Sequence, residues 1–381
     1  MAAPAAVEVR CSPNQHAVER FYRPELDCLR FFAFFGVFIC HTLPGDPAYY
    51  VARHVPFPAL VASLAFAGRY GVDLFFLLSA YLITELLLRE QEQFGKLNLR
   101  SFYARRILRI WPLYFLGILV GVLLPLVDPT ERFPLQYALA FAFMFGNWMI
   151  SLRGAVPSAV FALWSVSFEE QFYLLWPAFI SKARGKALLW ASGILLVIAT
   201  VSRFILLGYA RSMHSEMTIF ANTLTRLDPL ALGIATAVLL RGKRLSFHWG
   251  ARLAALAAGY ALWVAAAHYY SLNLGYVFIG YPAVALWAWL IFIAALGSSV
   301  APRWLRYFGK ISYGLYVFHG IALYLAVYLM GGYVHTLKAF VVYWWLSLIL
   351  TVTMAALSYK YFESPFLRLK ERFARVKSRP V

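Results

Sequence analysis

Arg30 and His41 stand eleven residues apart in a run that is otherwise almost wholly apolar, Cys28-Leu29-Arg30-Phe31-Phe32-Ala33-Phe34-Phe35-Gly36-Val37-Phe38-Ile39-Cys40-His41. At about 100° per residue a helix puts the two side chains within about 20° of one face, about 16 Å apart along the axis. That face carries a fixed cation at one depth and, at another, an imidazole whose ordinary pKa suits it to general base work. Ionisable groups in a membrane span cost about 2.5–3.5 kcal/mol each on insertion scales, so they turn towards a bundle interior or a wet cavity. The pair is either a polar lock between packed helices or a reactive face. Asp27, three residues before Arg30, is spaced to orient the guanidinium or partly neutralise it.

Other segments add chemistry. Ser101 to Pro112 holds Arg105, Arg106 and Arg109 just before an apolar stretch, with Arg105 and Arg109 sharing a face; this is either a positive anchor or a phosphate clamp. Leu163 to Tyr173 places Glu169 and Glu170 near the start of another apolar segment, with Tyr173 on the face of Glu169. Glu169 either caps a helix start or borders a cavity, where it can hold a hydroxylated molecule or orient a base. Arg69 and Asp73, four apart, are placed for local pairing or for substrate contact, and Arg226 with Asp228 repeats the theme. His319 is an intramembrane histidine, equally a packing group or a site. A ligand reaching from Arg30 to His41 needs an anionic end and a reactive end about 16 Å apart, dimensions that match the phosphates and thioester of an acyl-coenzyme A. No cluster has metal-ligand spacing, and no glycine-rich phosphate loop or Gly-x-Ser-x-Gly elbow occurs.

The elements that must carry these groups are membrane helices. Of 381 residues, 62% are hydrophobic, 18% aromatic and only 14% charged, which excludes a soluble or disordered chain. The expectation is an all-α, polytopic transmembrane bundle with about ten crossings. Basic runs between the apolar segments account for most of the net charge of +18, as the positive-inside rule requires, so nucleic acid is not expected. Such runs attract anionic lipid headgroups. By that rule both termini are expected in the cytoplasm of a multi-pass membrane protein. The parity of crossings then demands that one of two segments, 135–150 or 161–180, be re-entrant or broken. Residues 1–22 read as a polar cytoplasmic tail, 23–367 as one membrane domain and 368–381 as a basic tail. The three cysteines imply no disulfide framework.

Taken in order, Arg30-x10-His41, Gly71 to Ser79 with Tyr81-Leu82-Ile83, Tyr103 to Tyr114 and Trp164 to Pro177 resemble the bacterial integral-membrane acyltransferases of family three. Arg226 to Gly233, Gly309 to His319 and Phe362 to Phe366 add weaker matches, and Ala80 stands where the family usually has Gly. The resemblance implies transfer of an acyl group, usually acetyl, from cytoplasmic acetyl-CoA to a hydroxyl of a glycan or lipid-linked sugar outside the membrane. It implies His41 and Glu169 as catalytic residues and Arg30, Arg105, Arg106 and Arg109 as the coenzyme A site. Arg69, Asp73, Tyr173 and His319 complete the expected site on the substrate side. No metal is expected, and assembly with further copies of the chain is left open. The rival reading is a glycolipid transporter or flippase that uses the same buried charges without acyl transfer.

Overall fold

A computed structural model describes residues 21–241, 247–270, 273–332 and 336–376. The expected tails at 1–22 and 368–381 therefore lie partly outside the described residues. Every regular element among those described is helical. The longer helices are α1 (Pro24–Thr42), α2 (Pro58–Ala67), α3 (Gly71–Phe94), α4 (Leu99–Leu123), α5 (Leu135–Ala142), α6 (Gly146–Arg153), α7 (Trp164–Ile180) and α8 (Lys186–Ser212). They continue as α9 (Asp228–Leu239), α10 (Trp249–His268), α11 (Tyr281–Ala295), α12 (Arg303–Lys310), α13 (Ser312–Leu329), α14 (Leu337–Leu357) and α15 (Ser364–Glu371).

Among the described residues, seven helical stretches are long and apolar enough to cross a membrane: Pro58–Phe94, Leu99–Leu126, Lys186–Ser212, Trp249–His268, Tyr276–Ala295, Ser312–Leu329 and Lys338–Glu371. The all-α polytopic bundle expected from composition is present. Seven is fewer than the ten or so crossings expected; α1, α7 and α9 are shorter or more charged helices that fall outside this count. At twelve residues α9 is only about 18 Å long, and the chain before it runs irregularly from Asn222 to Leu227 rather than as the longer span read from the sequence. Helix α4 starts at Leu99, so the arginine segment ahead of Ile110 is itself helical; Asn98 caps it by accepting from the Ser101 amide at 3.0 Å.

Of the two segments read from the sequence, the first is the broken one, at residues 135–153. Helices α5 and α6 have eight residues each, about 12 Å, and Met144 between them adopts a positive φ of 62°, whereas α7 runs for 17 residues. Polar side chains satisfy the interrupted backbone, as a membrane interior demands. Gln171 donates to the carbonyl of Met144 at 2.7 Å and to Asn147 Oδ1 at 2.9 Å, and fully buried Asn147 donates to Thr223 Oγ1 at 2.8 Å.

Helix α1 is held by close backbone approach. A Cβ on Gly36 would sit 3.2 Å from the carbonyl oxygen of Gly68, and one on Gly68 would overlap the carbonyl of Gly36. Gly71 meets Ala33 and Gly309 meets Asp27 in the same manner, so α1 is clamped between Asp27 and Gly36. Phe34, Val37 and Phe38 on α1 belong to the same core as Phe76 and Phe168, whose rings lie 4.0 Å apart. Gly68→Ala is expected to lower stability by about 1–3 kcal/mol, because the obstacle is backbone and cannot rotate away. Thermal unfolding of the purified protein in detergent measures it, and an unchanged midpoint would refute the clamp.

Candidate active site

Two cavities open at opposite ends of α1. The first lies among α1, α3, α4, α7 and α13 and has a volume of about 140 Å³. Arg30, Arg106, Arg109, Ser79, Glu169, Tyr173 and Tyr316 line it, together with Phe21 and Tyr22 just ahead of α1. Arg30 contacts Asp27 at 3.4 Å, the pairing read from their spacing, while Asp27 also accepts from the Tyr22 hydroxyl at 2.9 Å. Glu169 accepts from the hydroxyl of Tyr173, one turn on, at 2.5 Å and from Ser79 at 3.2 Å. The Arg106 guanidinium lies 5.2 Å from the centre of the Tyr173 ring. This end of the bundle therefore presents cations on one wall and a hydrogen-bonded carboxylate on another.

The second cavity, about 740 Å³ in volume, is lined by His41, His319, Ala162, Gly320 and Tyr324 with Asp128 and Glu131 from the loop after α4. His41 Nδ1 and His319 Nε2 meet at 2.8 Å, with the ring centres 5.0 Å apart and the ring planes inclined by only 8°. His319 Nδ1 in turn sits 2.6 Å from the carbonyl oxygen of Tyr316. His41 is exposed to the cavity, and His319 is fully buried behind it. At the rim, the hydroxyl and amide of Thr130 donate to Asp128 at 2.7 and 2.9 Å and hold its carboxyl below the usual range.

A thin wall separates the cavities. The Tyr316 hydroxyl lies 2.6 Å from Ser165 Oγ and donates to the carbonyl of Ala162 at 3.1 Å. Tyr316 and Ser165 face the first cavity, whereas Ala162 and His319 line the second. The chain thus has Arg30 at one chamber and His41 at another, about 16 Å along one helix, with Tyr316 between.

The remaining expected site residues lie elsewhere. Arg105 pairs with Glu90 at 3.4 Å and donates to the carbonyl of Phe373 at 2.6 Å. The cavity face of α4 is therefore the Arg106–Arg109 face, three apart, and not the Arg105–Arg109 face. Arg69 and Asp73 do not pair with each other and line neither cavity. Arg69 bonds Glu216 at 2.8 Å with its guanidinium 3.9 Å from the centre of the Phe220 ring; Asp73 bonds Arg226; Asp228 bonds Arg203 at 2.6 and 3.1 Å. These interlocked pairs tie α3, α8 and α9 together. Sequence spacing did not single out Ser79, Tyr316 or Tyr22. The signal for Tyr316 was available, since it lies one turn before His319 on the same helix. Among the described residues no group of three or more His, Cys, Asp or Glu side chains is close enough to hold a metal ion.

Residues 23–360 match the family described as "Acyltransferase domain". The peptidoglycan O-acetyltransferase of Listeria monocytogenes is 35% identical to the chain over 170 residues, 42% of this chain and 24% of that protein. An O-acetyltransferase of Staphylococcus aureus is 28% identical over 375 residues, 90% of this chain and 57% of that protein. The chain thus spans from a quarter to little more than half of these relatives' length. No solved structure matches it.

Proposed function

Since the chain belongs to the acyltransferase domain family, we propose that it transfers an acetyl group from acetyl-CoA through the membrane to a hydroxyl of a glycan, with peptidoglycan the first acceptor to test. The observation that carries this reading is the division of α1 between two chambers, cationic at Arg30 and imidazole-bearing at His41. By the positive-inside rule, the end of the bundle with Arg23, Arg106 and Arg109 faces the cytoplasm, where acetyl-CoA is made. Arg30, Arg106 and Arg109 suit the coenzyme A phosphates, because arginine binds phosphate oxygens in pairs. The pantetheine arm then runs along α1 past Tyr316 and brings the thioester to His41.

In the outer chamber His41 Nε2 takes the proton of the sugar hydroxyl as that oxygen attacks the thioester carbonyl. The carbon–sulfur bond breaks, the acetyl group stays on the sugar oxygen, and the departing thiolate receives the proton from His41. Glu169, held by Tyr173 and Ser79, positions the arm on its way through the first chamber.

Purified protein in lipid vesicles, given labelled acetyl-CoA and a muropeptide or polysaccharide acceptor, is expected to yield O-acetylated glycan by mass spectrometry. Glycan that is moved across the membrane unmodified would instead establish a flippase. Arg109→Gln is expected to raise KM for acetyl-CoA about 10-fold or more, since a charged hydrogen bond is worth about 1.5–3 kcal/mol, with a smaller change in kcat. Initial rates against donor concentration test it, and an unaltered KM would remove Arg109 from the donor site.

A further inference from the structure

The contact between His41 and His319 fixes more than packing, because the acceptors and donors in it can be assigned in sequence. The carbonyl of Tyr316 has no proton to give, so the 2.6 Å contact requires that His319 Nδ1 carry one. A neutral His319 then has its lone pair at Nε2, and the 2.8 Å contact requires that His41 Nδ1 be the donor. His41 is left with its lone pair at Nε2, on the ring edge away from His319. His319 itself is fully buried, with the edge of the Phe34 ring against it at 6.2 Å between centres.

We infer that His319 is a positioning residue that holds His41 in the Nδ1–H form and so keeps Nε2 unprotonated towards the outer chamber. This inference rests on the acyl-transfer reading, since it assigns the partner of the base used there. The chain Tyr316 carbonyl, His319, His41 orders the base in the way that a carboxylate orders the histidine of other acyl-transfer sites, with a neutral imidazole in the carboxylate's place. When His41 accepts the hydroxyl proton, its Nδ1–H becomes a charged donor and the bond to His319 Nε2 strengthens as the charge forms. The same chain explains why Tyr316 and His319 sit one turn apart: the carbonyl that bonds His319 belongs to the residue closing the wall.

Two readouts test the assignment, imidazole nitrogen NMR of histidine-labelled protein in lipid and steady-state acetyl transfer. The His41 signals are identified by their loss in His41→Asn. In the wild type, His41 is expected as the Nδ1–H tautomer. In His319→Gln the side-chain carbonyl can stand where Nε2 stood, so the tautomer persists and kcat stays within about 10-fold of wild type. In His319→Ala, His41 is expected to show the Nε2–H form and kcat to fall about 100-fold, with KM for acetyl-CoA unchanged. An Nε2–H form of His41 in the wild type, or full activity in His319→Ala, would overturn the inference. Equal loss in the Gln and Ala variants with thermal midpoints preserved would do so as well. The NMR result stands without turnover: an Nδ1–H His41 in a protein that acetylates nothing would retain the positioning and remove the acyl-transfer reading.

Discussion

His41→Ala is expected to lower acetyl transfer by about 100- to 10,000-fold, the range that a positioned general base contributes. The protein should still insert and fold, because His41 ends α1 at a cavity and is exposed there, while the clamps on α1 act at Ala33, Gly36 and Asp27. Binding of acetyl-CoA should be retained, since Arg30, Arg106 and Arg109 line the other chamber. A direct comparison of donor affinity, by equilibrium binding, with product formation, by mass spectrometry, separates the two. Transfer at the wild-type rate in His41→Ala would end the assignment of the base. Loss of donor binding together with transfer would show that the variant is misfolded or that His41 touches coenzyme A throughout its cycle.

The largest effect on stability is expected at Asp73. Its carboxylate bonds Arg226, both groups are almost completely buried, and Arg226 has two further side-chain nitrogens with no hydrogen-bond partner. Asp73→Ala leaves that guanidinium buried and uncompensated, a change worth about 3–5 kcal/mol in buried pairs. Arg226 also lies 4.4 Å from the centre of the Phe220 ring, a contact too weak to replace a lost carboxylate. Denaturation midpoints in detergent should therefore fall sharply for Asp73→Ala. Asp73→Ala with Arg226→Leu should recover much of the loss, because an apolar pair leaves no stranded charge. A double variant as unstable as the single one would show that the pair acts through something other than charge compensation.

What could be read from the sequence followed from short-range geometry. The apolar run with Arg30 and His41 is one continuous helix, because their spacing needs nothing beyond the helical repeat. The Glu169–Tyr173 and Asp27–Arg30 contacts are likewise one turn long and are present. Short-range geometry does not give the partners of Arg69, Asp73, Arg226 and Asp228. The local pairing that their spacing allows does not form: each pairs with a residue distant in sequence, because a charge in a bundle interior is satisfied by whichever partner the packing delivers. The rotation of α4 was misjudged for a related reason: Glu90 and the carbonyl of Phe373 draw Arg105 away, and neither is near it in sequence. The His41–His319 contact joins residues 278 positions apart, so no local pattern announces it. The need for a broken segment came from charge parity alone; its location waited on Asn147 and Gln171 finding partners in other helices.

The wall formed by Tyr316, Ser165 and Ala162 has an electrical consequence. Two chambers that met would make a water-filled conductor through the bilayer, and each elementary charge crossing 100 mV dissipates about 2.3 kcal/mol of the membrane's stored energy. With the tyrosine hydroxyl bonded across the gap, the two chambers are kept apart at this point. On the proposed transfer route, a thin acyl-bearing arm would have to displace the Tyr316 ring and fill the opening so made. On that route the wall would open only as far as the arm that fills it, so acyl transfer need not discharge the membrane.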